Sequence, residues 1–205
     1  MTTRDNEILE VLTHRLRILS MKQIAYAWWN GVIASAHRRV SALEEQGWLT
    51  TGNALAQPPP TMPSPIASWK PQSDAPDFGS VSHRLRERWA VPLERTTIVS
   101  ATGRAAAAFA GWGGRMPRVS ELAHDLALAE LFLFFRRELP SRAKGWRCEA
   151  SLHAEGFGRD DNLPDAMIVS RKERTVIELG GSYPKKKLLD FHEACEAREL
   201  AYEIW

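Results

Sequence analysis

Apolar positions recur at helical spacing through the first fifty residues. Ile8, Leu12, Leu16 and Leu19 fall three or four apart and predict a helix over Glu7–Leu19. Ser20 then stands where an N-cap belongs, opening a second short helix over MKQIAYAWW. Asn30-Gly31 is a turn dipeptide, and VIASAHRRVSALEEQGWL predicts a third helix that ends at Gly47. Its expected apolar stripe is Ile33, Ala36, Val40 and Leu43, which leaves Ser35, His37, Arg38, Ser41 and Glu45 on the other faces. Trp48–Thr51 reads as a short strand.

The next strand signal is Arg95–Ser100, followed by Ala101–Ala106 as a turn into a helix. About forty residues lie between these two strands, and seven of the chain's twelve prolines fall in residues 58–76. That composition predicts polyproline and turn structure, not a core element. Ser80–Trp89 reads as a short basic helix inside the segment. Residues 111–118 (GWGGRMPR) form a Gly/Pro joint and the expected domain boundary. Ser120 then caps a long helix running to about Leu139, with Glu121 in its first turn. A strand over Arg147–His153, the loop EGFGRDDN, and strands over Asp165–Ser170 and Thr175–Leu179 follow. A helix near Pro184–Arg198 and a strand over Ala201–Trp205 complete an αβββαβ order.

Composition changes this picture little. Hydrophobic residues make up 44% of the 205 and charged residues 25%, so a packed core is expected. A net charge of +2 says nothing by itself about nucleic acid. Lys+Arg outnumber Asp+Glu by 8 to 4 in residues 61–118, while residues 119–205 carry 13 against 16. Cys148 and Cys195 show no metal-ligand spacing. No apolar run has membrane-spanning length and no leader pattern opens the chain, so the expectation is a cytoplasmic protein with reduced thiols and no membrane partner.

Candidate chemistry concentrates in Leu163–Asp190. Pro164-Asp165 opens one apolar run and Glu178 closes the next, with the SRKER turn of Ser170–Arg174 between them. A hairpin would set the two carboxylates side by side, where hard oxygen ligands can hold Mg²⁺. This segment resembles the PD-(D/E)XK nuclease-like fold. The resemblance implies Asp165 and Glu178 as metal ligands, a third carboxylate from the long helix (Glu121, Asp125 or Glu130), and a lysine two residues after Glu178. That position is Gly180, so an active site would need a migrated ammonium from Lys185–Lys187, with Lys187 the candidate. The alternative is an inactive domain that keeps Asp165 and Glu178 as caps or ion-pair partners and needs no cofactor.

Three helices with a tight turn before the third, then a strand, follow the winged helix-turn-helix order. In that arrangement the third helix enters the major groove. Ser35, His37 and Arg38 are its candidate base-reading residues, with Arg39 and Lys22 expected near phosphates. The fold expectation is therefore α+β/α/β: a winged helix-turn-helix over 1–110 with a Pro-rich wing insertion at about 53–94, then a restriction-endonuclease-like domain over 119–205. SELAHDLALAELFL, LPDAMIV and TVIELGG…KLLDFH are similar to phrases of the replication-relaxation family of plasmid and mobile-element proteins. That resemblance implies double-stranded DNA binding in replication, mobilisation or transcriptional control, with a replication or mobilisation protein as a possible partner. Two further readings are an Mg²⁺-dependent endonuclease targeted by the winged helix, and an assembly factor. A homodimer on a two-fold site suits the first reading.

Overall fold

In chain order the elements are α1 (Thr3–His14), β1 (Leu19–Ser20), α2 (Met21–Trp29), α3 (Ile33–Glu45), β2 (Leu49–Ala56), β3 (Ala67–Trp69), α4 (Phe78–Arg88), β4 (Glu94–Ala101) and α5 (Gly103–Ala108). A 3₁₀ turn at Val119–Glu121 leads into α6 (Leu122–Glu138), α7 (Pro140–Lys144), β5 (Trp146–Cys148), α8 (Glu149–Ala154), β6 (Ala166–Val169), β7 (Arg174–Glu178), α9 (Lys185–Glu196) and β8 (Ala201–Ile204). This is a computed structural model that describes residues 1–89, 91–157 and 163–205. The chain mixes helix and strand and divides into two compact units, residues 1–59 with 93–133 and residues 60–92 with 134–205. No helix among the described residues is long and apolar enough to cross a membrane.

The first unit starts from two capping boxes. Thr2 and Asp5 cap α1 reciprocally, so it starts and ends earlier than the expected Glu7–Leu19, and Ser20, the expected cap of α2, is joined by Gln23 in a second box. Asn30 ends α2 in the left-handed region at φ 50° and Gly31 follows at φ 83°, which gives the sharp turn into α3. Helix α3 buries Ala36, Val40 and Leu43, while Ile33, expected in the same stripe, is 46% exposed because it sits in the first turn, beyond the packed face. Strand β4 pairs antiparallel with β1 and, over eight residues from Leu49↔Ala101 to Ala56↔Glu94, with β2. Glu44 of α3 accepts hydrogen bonds from the Thr51 amide (2.7 Å) and hydroxyl (2.9 Å), which fixes the ribbon against the helix.

Residues 111–118 are not where the units part. Gly111 lies against α1: a Cβ there would stand 2.9 Å from Thr13 Cβ, and the Trp112 amide donates to Thr13 O at 2.7 Å. The Gly114 amide likewise donates to Ala101 O. Glycine permits the close approach, so the stretch is stitched into the first unit. Ile18, Ala56 and Ile98 then pack with Leu122 and Leu126 at the start of α6.

The second unit is built on a five-stranded sheet in the order β3-β8-β7-β6-β5, antiparallel except for the parallel β7–β8 pair bridged by α9. The Pro-rich segment contributes a strand and a helix to it, contrary to the expectation of an insertion without core elements. Trp69 of β3 is 3% exposed and stacks on Tyr202 with ring centroids 5.6 Å apart. Phe78, Val81 and Leu85 of α4 join Leu188, Cys195 and Ile204 in one core cluster. The strand expected over Arg147–His153 ends at Cys148 and turns into α8, which buries Leu152. Of the EGFGRDDN loop, residues 158–162 lie outside the described residues.

One buried ion pair orients α3. Asp5 is fully buried and accepts hydrogen bonds from Arg39, the Nε–H at 2.8 Å. Burial raises the Asp5 pKa, but Arg39 and Thr2 together outweigh it and bring the carboxyl to about 2. A folded-state pKa below the unfolded value of about 3.9 means the pair stabilises fully above pH 4 and stops doing so as pH falls through 2. Asp5→Ala is expected to cost about 1–3 kcal/mol near neutral pH, because the α1 capping box and the charge-assisted hydrogen bonds to Arg39 are both lost. Urea titrations of both proteins from pH 7 to pH 2 should show the difference shrinking below pH 4.

Candidate functional site

Two groups of side chains are candidates for function, one in each unit. In the first, the α2–turn–α3 segment presents its polar residues unequally. His37 and Arg38 are exposed, and Ser35 is half-buried. Lys22 is exposed, with Nζ 3.6 Å from Glu94 Oε2 of β4. Arg39 is not turned toward solvent phosphates, since its guanidinium is committed to Asp5. Residues 21–43 contain Lys22, His37, Arg38 and Arg39 and not one Asp or Glu. With Arg39 held by Asp5 and Lys22 beside Glu94, the exposed basic group of α3 itself is Arg38, next to His37.

The helix carboxylates offered as possible metal ligands belong to this first unit as well. Glu121 and Asp125 both pair with Arg17, at 3.1 and 2.7 Å. Glu130 accepts a hydrogen bond from Gln23 Nε2 at 3.1 Å, and the same amide donates to Leu126 O at 2.8 Å. These contacts bind α6 to α2 and to the segment after α1.

Asp165 and Glu178 lie in the second unit, and their placement follows from strand register. Ala166 pairs with Ile177 across β6 and β7, so the next pair toward the sheet edge is Asp165 opposite Glu178. Asp165 Oδ2 accepts from the Leu179 amide at 2.7 Å, extending the ladder beyond the end of β7. Glu178 Oε1 accepts from the Tyr183 hydroxyl at 3.0 Å. Burial, followed by the charges of Glu178 and Asp165, pushes the Tyr183 hydroxyl far above its ordinary pKa, so it remains a donor. Lys187 Nζ sits 3.4 Å from the centroid of the same ring. Tyr183 thus touches both, its hydroxyl on Glu178 and its ring face under Lys187. Lys186 instead pairs with Asp190 one turn further along α9, at 3.0 Å.

Gly180 occupies the place where the nuclease-like pattern has lysine, and its surroundings explain the glycine. A Cβ on Gly180 would stand 2.7 Å from Leu85 Cδ1 and 3.1 Å from Leu85 Cγ. Leu85 is fully buried, so it has no room to withdraw. The Trp89 indole also donates to Gly180 O at 2.8 Å. Helix α4 therefore covers the strand end that a lysine would need. Behind it, burial and the Glu178 charge push the Cys195 thiol up to about 12, which keeps it protonated and inert. His192 meets the Tyr202 hydroxyl at 3.1 Å within the same core.

The missing lysine is visible in the sequence, whereas Leu85 and Tyr183 are not. No spacing rule links Leu85 to a glycine so far downstream, and the serine-tyrosine step after the glycines carries no motif.

Gly180→Ala is expected to destabilise the protein by about 1–3 kcal/mol through overpacking. Combined with Leu85→Ala, it should cost less than the sum of the two single changes, a coupling that urea denaturation of the four proteins in the cycle would measure. No protein-family model, no curated protein and no solved structure matches this chain.

Proposed function

We propose that this protein binds double-stranded DNA through a winged helix-turn-helix in its first unit. Its second unit is a nuclease-like fold that has lost catalysis. The observation that carries the reading is the exposure of His37 and Arg38 on α3, in a run, residues 21–43, that contains no Asp or Glu. A helix of that character suits the major groove, where arginine pairs in bidentate fashion with guanine. The β2–β4 ribbon that follows, fixed to α3 through Glu44 and Thr51, suits the role of the wing. Arg38 is the base-reading candidate, His37 and Ser35 contribute less selective contacts, and Lys22 neutralises a phosphate. Arg39 acts indirectly by holding α3 on α1.

The second unit's three antiparallel strands, crossover helix and parallel fourth strand support the nuclease-like reading. Its donor set does not fit a catalytic Mg²⁺. Asp165 and Glu178 each already accept a hydrogen bond, Lys187 lies on the Tyr183 ring, and Leu85 closes the position of the expected lysine. The likeness to the replication-relaxation family supports a plasmid or mobile-element setting, with a replication or mobilisation protein as partner. An Mg²⁺-dependent endonuclease is the second reading, favoured by the register that sets Asp165 opposite Glu178.

Fluorescence anisotropy on duplex DNA tests the first reading. Affinity should fall steeply with salt, and Lys22→Ala should lower the salt slope by about one. Arg38→Ala should weaken binding about tenfold, equivalent to about 1.4 kcal/mol. Binding that is absent or insensitive to salt contradicts the reading. Supercoiled plasmid incubated with Mg²⁺ or Mn²⁺ should stay intact, while nicking that Glu178→Ala abolishes would establish the endonuclease instead.

A further inference from the structure

The turn between α2 and α3 carries apolar side chains that the fold does not use. Tyr26 is 73% exposed, Val32 52% and Ile33 46%. They form one rim, because the Tyr26 ring lies over the turn: its Cε1 would stand 3.2 Å from a Cβ on Gly31, immediately before Val32. Ile33 and His37 are four apart on α3, as are Ala34 and Arg38, and all four are exposed. Apolar and basic residues therefore share one face at the start of the helix. Val32 also occupies the N-cap position and provides no side-chain cap, although Ser, Thr, Asp or Asn is preferred there. Exposing three large apolar groups at a helix entrance has no use in the packing of this unit.

Resting on the DNA-binding reading above, we propose that Val32, Ile33 and Tyr26 read the C5-methyl groups of thymine in the major groove. Charge complementarity selects this occupant. The rim shares its face with the exposed His37 and Arg38, and residues 21–43 hold no carboxylate, a surface suited to a polyanion. Within the major groove the thymine methyl is the apolar feature that distinguishes an A·T pair, and it is read by apolar contact. Arg38, one turn beyond Ala34, would then meet guanine in the adjacent step. The preferred site is a run of A·T pairs flanked by G·C.

Uracil tests this directly, since it pairs as thymine does and lacks only the methyl. The full-length protein is titrated with alternating dA-dT and dA-dU duplexes of equal length at fixed salt. The dA-dT duplex should bind more tightly, by about fourfold for each methyl buried. Ile33→Ser should bring the two affinities together while leaving the salt slope unchanged, and Val119→Ala, an exposed apolar change elsewhere, should preserve the preference. Because Ile33 is exposed, Ile33→Ser should keep the wild-type circular dichroism. Equal affinity of the wild type for both duplexes overturns the methyl reading and leaves DNA binding standing. Failure to bind either duplex overturns both. Sedimentation that shifts from dimer to monomer in Ile33→Ser, with no change in the uracil comparison, assigns the rim to a contact between two copies and also overturns the proposal.

Discussion

A carboxylate with no access to water sets the geometry of the first unit. Asp5 finishes the capping box of α1 and holds Arg39 of α3, so one side chain satisfies a helix terminus and joins two helices. The cost of taking an ion out of water is recovered only when its lone pairs are filled, and here the Thr2 amide and Arg39 fill them. Because Arg39 faces inward, His37 and Arg38 face outward. A residue that resembles part of a basic surface in the sequence is what aims the rest of it.

The second unit shows how a segment poor in regular structure can decide chemistry. Strand β3 and helix α4 contribute Trp69 and Leu85 to its core. Leu85 and Trp89 meet Gly180 at the end of β7, where only a residue without a side chain fits. Tyr183 and Lys187 then close the carboxylate pair from the other end of the turn. Each of these contacts contributes to packing, and together they surround Asp165 and Glu178 with hydrogen-bond donors and apolar side chains.

Much of the local structure is legible in the sequence because it depends on near neighbours. Ser20 as a cap, Asn30-Gly31, and the apolar spacing of Ala36, Val40 and Leu43 each act within a few residues. The strand expected at Arg95–Ser100 lies within β4, since its β-branched run Thr96–Val99 suits a strand despite the long gap before it. Failures occur where distant residues decide. Trp69 sits in a three-residue strand among prolines, too short for any periodicity, and only Tyr202 gives it a reason to be buried. The glycines of 111–118 suggest a linker until Thr13 is placed against Gly111. Ile33 has the spacing of a core residue, yet the helix begins one turn before its packed face. At the candidate sites the residue types are legible, while the inward turn of Arg39 and the block at Gly180 are not.

The two units interleave along the chain, with residues 60–92 belonging to the second and 93–133 to the first. This ordering has a consequence for synthesis. As the polypeptide leaves the ribosome, β2 must wait for β4 while a segment belonging to the other unit passes between them. Strand β3 emerges early and pairs only with β8, so Trp69 stays without its stacking partner Tyr202 until almost all of the described chain has been made. Contacts so far apart in sequence fold slowly, and their apolar members remain open to misassociation in the interval. Prolines on either side of β3 offer a remedy, because they keep that waiting segment from extending into a longer, adhesive strand.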